Sequence, residues 1–204
     1  MSPESLSPNA AASVRQWRRQ ARTLLLERRV AAGGKLRKRW NAAISDKLRA
    51  LLESRRGQIV ALYWPFKGEF DDRALMRDLH ECGVQVALPA VVEPRTPLEF
   101  RVWRPGAEME PGVYKIPVPK AREVVVPDVI VAPLVGFDAE GYRLGYGGGY
   151  YDRTLAAMPV EPCVVGVGYE ISRLETLYPQ PHDVAMHRVV TEAGVYDFRR
   201  PSQG

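Results

Sequence analysis

Cysteine is scarce in this sequence of 204 residues, which contains only Cys82 and Cys163. Two cysteines this far apart fit neither a disulfide framework nor a zinc ribbon, because both of those need paired or clustered thiols. We therefore expect both thiols to be reduced, either in the core or at the surface. A reducing compartment follows, and we expect the protein to be cytoplasmic.

Long apolar runs are also missing. No segment approaches the roughly 18 consecutive apolar residues that a helix needs to cross a bilayer. The beginning of the chain, MSPESLSPNAAA, lacks the basic and apolar stretches of a secretion signal. The sequence thus predicts that the protein has no membrane partner.

Acidic residues are few at the beginning of the chain. Residues 1–60 hold 14 lysines and arginines against 4 acidic residues, a net charge of +10, whereas the remainder holds 15 against 20. A basic region of this kind is a solvated helical face, a site for an anionic ligand, or a nucleic-acid surface. An organelle transit peptide has a similar composition. Composition alone does not choose between these interpretations.

The apolar residues predict one α/β domain. We expect a disordered leader over residues 1–12, which is rich in proline, serine and alanine, and a single α/β catalytic domain over residues 13–200. Apolar residues at helical spacing predict two helices on either side of Gly33 and Gly34. Arginines lie between the apolar residues of the first helix, and core packing alone does not explain them.

After these helices the sequence alternates between strands and helices. The segments QIVALYW, VQVALPAV and CVVGVGY predict strands, and DDRALMRDLHECG predicts a helix. The run VVVPDVIVAPLVGF predicts one strand buried on both faces, LEFRVW a hairpin arm, and HRVVTEAGVYDF a terminal strand. We expect an α/β fold with an open, largely parallel twisted sheet, flanking helices and a basic N-terminal helical region.

The stretch YRLGYGGGYYDR, residues 142–153, follows the buried run. Glycine at this density weakens regular structure, and a common reason for it is close approach of the backbone to a ligand. Open α/β sheets bind ligands beyond the carboxyl ends of their strands. The P-loop pattern GxxxxGK[ST] is absent, and a GxGxxG pattern fails at Tyr150. Arg143 and the N–H groups of residues 145–149 could still hold a phosphate.

The segment PLVGFDAEGYRLGYGGGYYDRTL resembles the signature of the 5-formyltetrahydrofolate cyclo-ligase family, also called 5,10-methenyltetrahydrofolate synthetases. The resemblance extends to RRQARTLLLERR, ALYWPFKGEFD and PQPHDVAMHRVVTE, and it covers about residues 15–195. It implies an enzyme that uses ATP and Mg²⁺ to convert 5-formyltetrahydrofolate to 5,10-methenyltetrahydrofolate through phosphorylation of the formyl oxygen. ADP and phosphate are the other products.

The resemblance also implies roles for individual residues. The implied catalytic residues are Arg143, Tyr151 and Asp152, and the implied magnesium ligands are Asp152 and Asp183. The implied ATP-binding residues are Arg18, Arg22, Arg143, Leu144, Gly145, Tyr146, Gly147, Gly148, Gly149, Tyr150 and Tyr151. The implied folate-binding residues are Trp64, Glu69, Phe137, Tyr146 and Tyr150. We expect a monomer that binds ATP and 5-formyltetrahydrofolate and no nucleic acid.

Several of these residues also have a purely structural interpretation. Trp64 and Phe137 adjoin predicted strands and fit the core, and Glu69 and Asp152 fit carboxylates at helix starts. The resemblance has a departure at Gly148, where many relatives carry lysine or arginine, so one direct charge is missing. Two other functions remain open on the residues alone: a nucleic-acid-binding protein that uses the basic helices, or a sugar-phosphate isomerase or transferase on a similar sheet.

Overall fold

The computed structural model describes residues 8–198. Its α-helices are α1 (Pro8–Ala31), α2 (Gly33–Leu52), α3 (Arg73–Glu81) and α4 (Tyr150–Ala157). Its strands are β1 (Ile59–Ala61), β2 (Gln85–Ala90), β3 (Glu99–Trp103), β4 (Met109–Pro111), β5 (Pro117–Pro119), β6 (Val124–Val125), β7 (Val129–Pro133), β8 (Gly136–Phe137), β9 (Arg143–Leu144), β10 (Cys163–Val167), β11 (Arg188–Val190) and β12 (Val195–Asp197).

Helix α1 begins inside the segment predicted as a disordered leader. It starts at Pro8, because proline is tolerated in the first turn of a helix and the alanines that follow are strong helix formers. Residues 8–12 are therefore helical. Residues 1–7 of the predicted leader and residues 199–200 of the predicted domain lie outside the described residues. None of the helices within residues 8–198 combines the length and apolar character that a membrane crossing needs.

The main sheet has eight strands in the order β12-β11-β10-β7-β1-β2-β3-β6. The central strands β11, β10, β7, β1 and β2 are parallel, and β12, β3 and β6 join them by antiparallel pairing. Strand β7 lies between β1 and β10 and is buried along most of its length, which accounts for its continuous β-branched sequence. The predicted open, largely parallel sheet with flanking helices is confirmed.

Two predicted strands differ in the structure. The run VVVPDVIVAPLVGF forms β6, β7 and β8 instead of one strand, since Pro127 has no N–H to donate to a ladder. The segment HRVVTEAGVYDF forms a hairpin of β11 and β12, which turns where Thr191 N donates to Gly194 O. The predicted hairpin arm LEFRVW contains β3, which pairs antiparallel with β2.

The helices cover both faces of the sheet and one of its ends. Helices α2 and α3 pack on one face through residues such as Leu48 and Met76. Helix α4 packs on the other face through Leu155. Helix α1 places Leu25 against Val135, just beyond the carboxyl end of β7. This position brings the basic face of α1 to the end of the sheet where ligands of α/β proteins bind.

Candidate active site

The glycine-rich loop, residues 145–149, connects β9 to α4 beyond the carboxyl end of β7. Gly147 and Gly149 have φ angles of +94° and +64°, in the left-handed region that favours glycine. Helix α4 begins immediately afterwards at Tyr150. The loop therefore leads into a helix N-terminus, where free N–H groups and the helix dipole favour an anion.

Two arginines of α1 lie beside this loop. Arg22 Nε donates a hydrogen bond of 2.7 Å to the carbonyl oxygen of Gly145. Burial and the neighbouring Arg18 lower the pKa of Arg22. Arg18 donates to both carboxylate oxygens of Asp183 and to the carbonyl oxygen of Leu177. The structure thus brings both predicted arginines to the site, but only Arg18 has a carboxylate partner among the described residues.

Arg143 is held inside the protein. Its side chain is 4% exposed and donates to Asp152 Oδ1 at 2.8 Å and to the carbonyl oxygen of Val184 at 2.9 Å. Asp152 Oδ1 also accepts a hydrogen bond from Val184 N. Arg143 therefore fixes the orientation of Asp152, and its direct contact with a phosphate stays a prediction.

The two predicted metal ligands are close in the fold, because Asp152 accepts a hydrogen bond from Val184, the neighbour of Asp183. Burial alone would raise the pKa of Asp183, but hydrogen bonds from Arg18 and from Gln180 N outweigh it and the pKa is lowered. Within residues 8–198 no group of three His, Cys, Asp or Glu side chains is placed to hold a metal. Two carboxylates fit a magnesium ion that takes its other ligands from phosphates and water.

Glu69 is buried beside the loop. Its Oε1 accepts a hydrogen bond of 2.8 Å from the hydroxyl of Tyr146, and its Oε2 accepts one of 2.8 Å from Phe66 N. Burial raises the pKa of Glu69, and these two hydrogen bonds oppose the rise. Neither partner belongs to α3, so the carboxylate does not cap that helix. Tyr146 connects this acid directly to the glycine-rich loop.

Arg29 was not predicted from the sequence. It is 3% exposed, and it donates to the hydroxyl of Tyr146 and to the carbonyl oxygen of Leu134. The available signal was its spacing, since Arg22 and Arg29 are seven positions apart and share one face of α1 with buried Leu25. An arginine on an apolar face needs buried hydrogen-bond acceptors.

Two of the residues predicted to contact a ligand are buried in the structure. Phe137 is 1% exposed and packs in the core against Tyr196, so it offers no wall to a ligand. The side chain of Leu144 is 2% exposed, and its carbonyl oxygen accepts a hydrogen bond from Val135 N, so neither group faces a nucleotide. Core packing decides both positions, as the structural interpretation of Phe137 expected.

Aromatic side chains at the site come from other positions. Tyr146 is 41% exposed, and the ring of Phe66 lies 6.0 Å from it at an inclined angle. Trp64 is half-buried, packs against the core and lies 5.7 Å from the guanidinium of Arg73. Phe66 was missed because aromatic residues in loops carry no periodicity that marks them.

Asp72 is a buried carboxyl group close to Glu69 in sequence. Its Oδ2 accepts a hydrogen bond of 3.3 Å from Tyr63 N, whereas Oδ1 is buried and has no hydrogen-bond partner. Burial raises the pKa of Asp72 well above its usual range, and the neighbouring charges of Asp71 and Glu69 add to the rise. Ionised Asp72 is therefore unfavourable in the folded protein.

We expect Asp72→Asn to become more stable relative to the natural protein as pH rises. Between the ordinary and the raised pKa of Asp72, the folded state binds more protons than the unfolded state, so the free energy of unfolding falls with rising pH. Asparagine removes this titration. Urea unfolding of both proteins at pH 5 and pH 8 measures the difference, and a constant difference between the two proteins contradicts the expectation.

A glycine-rich loop at a helix N-terminus, faced by arginines at the carboxyl end of a parallel sheet, defines an α/β enzyme that binds phosphates. Residues 14–192 of the chain match the 5-formyltetrahydrofolate cyclo-ligase family. The 5-formyltetrahydrofolate cyclo-ligase of Haemophilus influenzae is 32% identical over 86% of this chain and 97% of its own length. That of Mycolicibacterium smegmatis is 34% identical over 84% and 92%. The chain belongs to the 5-formyltetrahydrofolate cyclo-ligase family.

Solved structures agree with this assignment. The 5,10-methenyltetrahydrofolate synthetase of Aquifex aeolicus is 31% identical, has a TM-score of 0.78, and matches over 91% of this chain and 95% of its own. The 5,10-methenyltetrahydrofolate synthetase of Mycoplasma pneumoniae shares the fold, with a TM-score of 0.71 at 24% identity over 86% of this chain and 98% of its own. The sequence-based prediction of an ATP-dependent cyclo-ligase is confirmed.

Proposed function

We propose that this enzyme activates 5-formyltetrahydrofolate by phosphorylating the formyl oxygen at the cleft between the glycine-rich loop, α1 and Glu69. The observation that carries the proposal is the position of Tyr146. This residue belongs to the loop that suits phosphates, and its hydroxyl donates to Glu69, the acid that suits a pterin. A nucleotide at the loop and a folate at Glu69 would therefore be neighbours, as transfer of a phosphoryl group requires.

The chemistry needs activation because the formyl oxygen is a poor leaving group. Transfer of the γ-phosphoryl group of ATP to that oxygen releases ADP and gives an iminium phosphate. The other folate nitrogen, a secondary amine, then attacks the formyl carbon and loses its proton to water, and the carbon–oxygen bond breaks to release phosphate. The protein mainly has to align the two substrates and neutralise charge during the transfer.

The phosphates of ATP fit the loop and its neighbours. The N–H groups between Gly145 and Gly149, and those at the start of α4, are available as donors at the positive end of the helix dipole. Arg22 adds a cation from the α1 side. Tyr150 and Tyr151 follow the loop directly and would border the bound substrates. Arg143 and Arg18 contribute indirectly. Arg143 holds the carboxylate of Asp152, and Arg18 holds that of Asp183.

These two carboxylates would hold magnesium together with the phosphates of ATP. A magnesium ion in that position neutralises part of the negative charge on the transferring phosphoryl group. The chain itself supplies the orientation: Arg143 fixes Asp152 and Arg18 fixes Asp183. We also propose that the enzyme works as a monomer in the cytoplasm. The two free cysteines, Cys82 and Cys163, support a reducing compartment.

The pterin ring fits the pocket around Glu69. A carboxylate accepts about four hydrogen bonds, and Glu69 uses two of them within the protein, so it can accept from the amino and ring N–H donors of a pterin. Tyr146, Phe66 and Trp64 would supply the flat apolar surfaces that a planar ring needs. This arrangement replaces the predicted contact with Phe137 by one with Phe66.

The overall reaction is tested by mixing the purified enzyme with 5-formyltetrahydrofolate, Mg²⁺ and ATP. We expect the absorbance of the methenyl product to rise only when ATP is present, and one ADP to form for each methenyl group. Omission of ATP is the control. Product formation without ATP, or ADP formation without product, contradicts the proposed activation step.

Arg22→Ala should weaken the binding of ATP much more than the binding of folate. A charge-assisted hydrogen bond contributes about 1.5 to 3 kcal/mol, which corresponds to a roughly ten- to hundredfold rise in KM for ATP. Arg19→Ala is the matched control, because Arg19 is exposed on the same helix. Steady-state kinetics with each substrate varied in turn measure both constants. An equal rise in both KM values, or a fall in melting temperature that matches the loss of activity, would show a structural role instead.

Glu69→Gln should raise KM for 5-formyltetrahydrofolate about tenfold and leave KM for ATP nearly unchanged. The substitution keeps the shape of the side chain but replaces one acceptor oxygen by a donor, which misplaces the pterin. Asp71→Asn is the control for a carboxylate at the start of α3, where loss of charge costs about 0.3 to 1 kcal/mol through the helix dipole. Melting temperatures and both KM values decide the matter. If Glu69→Gln loses stability and retains natural folate kinetics, the pterin contact is wrong.

A further inference from the structure

The first turn of α4 carries a cation where an isolated helix disfavours one. Arg153 is the fourth residue of α4, and side chains on a helix tilt toward its N-terminus. Arg153 Nη2 donates a hydrogen bond of 2.6 Å to the carbonyl oxygen of Gly148, which precedes the helix. The guanidinium therefore lies at the positive end of the helix dipole, a position that is unfavourable unless an anion compensates it.

Arg153 has no carboxylate partner among the described residues. Within residues 8–198, Arg18 pairs with Asp183 and Arg143 pairs with Asp152, but Arg153 forms no ion pair, and its Nε is buried without a hydrogen-bond partner. Its guanidinium lies 5.2 Å from the centre of the Tyr150 ring, which restricts its orientation. A cation at a helix N-terminus that has a carbonyl oxygen and an aromatic ring as partners, but no carboxylate, points to an anionic ligand.

Arg153 and Arg22 approach the loop at different glycines. A Cβ added at Gly147 would lie 3.4 Å from Arg22 Cζ, and one added at Gly149 would lie 2.8 Å from Arg153 Nη1. Both arginines donate to loop carbonyl oxygens, and neither has a carboxylate partner among the described residues. The loop is thus bounded by two uncompensated cations, one from α1 and one from α4.

We infer that Arg153 is a further ATP-binding residue, whose guanidinium contacts the phosphates held by the glycine-rich loop. This inference rests on the proposed function, since it takes the loop as the phosphate site. Arg153 starts on the helix side of the loop and folds back over Gly148.

The inference is tested by measuring, with titration calorimetry, how tightly three variants bind the β,γ-imido analogue of ATP in the presence of Mg²⁺. Arg153→Gln retains a donor for Gly148 but removes the charge, and we expect it to weaken binding about tenfold or more. Arg153→Lys retains the charge and should stay within about threefold of the natural protein. Arg56→Gln is the matched control, because Arg56 also donates to a carbonyl oxygen and lies against a glycine, Gly83, at the other end of the sheet.

The salt dependence separates a contact to phosphate from a role in holding the loop. If Arg153 acts through its charge, the affinity of Arg153→Gln will fall less steeply between about 50 and 500 mM salt than that of the natural protein. Affinity equal to that of the natural protein, or weakened affinity with an unchanged salt dependence, overturns the inference and leaves the proposed function standing. Failure of the natural protein to bind the analogue overturns both.

Discussion

The site depends on the hydrogen bonds of one buried guanidinium group, that of Arg29. It joins α1 to the carbonyl oxygen of Leu134, at the end of β7, and to the hydroxyl of Tyr146 in the loop. The hydroxyl of Tyr146 in turn donates a hydrogen bond to Glu69. A buried arginine without acceptors is strongly destabilising, so these contacts must all be present in the folded protein. One side chain therefore fixes the relative positions of the helix, the loop and the acid.

Arginines at the site divide into two groups by their partners. Arg18 and Arg143 each face an aspartate, so their charges are compensated and their task is to orient a carboxylate. Arg22 and Arg153 contact carbonyl oxygens of the loop, so their charges remain available. The net charge of the first 60 residues did not distinguish Arg18 from Arg22, because Asp183, the partner of Arg18, lies 165 positions away in the sequence.

Much of the fold followed from local patterns in the sequence. The period of the apolar residues located the helices, and the β-branched run around Val131 marked the buried centre of a parallel sheet. Breaks within strands were harder to predict, since the turn between β11 and β12 is held by hydrogen bonds of Thr191 with Ala193 and Gly194 that no local pattern marks. Residues 8–12 are helical instead of disordered as expected, because alanine-rich sequence after Pro8 favours a helix.

The site was predictable in its composition but less so in its contacts. The motif identified the loop, Arg22 and Glu69, and the structure places these close together. It could not show that Phe137 faces the core, because an aromatic residue after a strand suits either side. Arg29 was missed for a related reason: an arginine on an apolar face is visible in sequence, but its acceptors are not.

Helix α1 lies far along the chain from its partners at the site. Arg22 and Gly145 are 123 positions apart, and Arg18 and Asp183 are 165 positions apart. Contacts across such separations form only after long loops have closed, which makes them slow relative to local structure. During synthesis, both partners of the basic helix, Gly145 and Asp183, therefore exist only after Asp183 has been made.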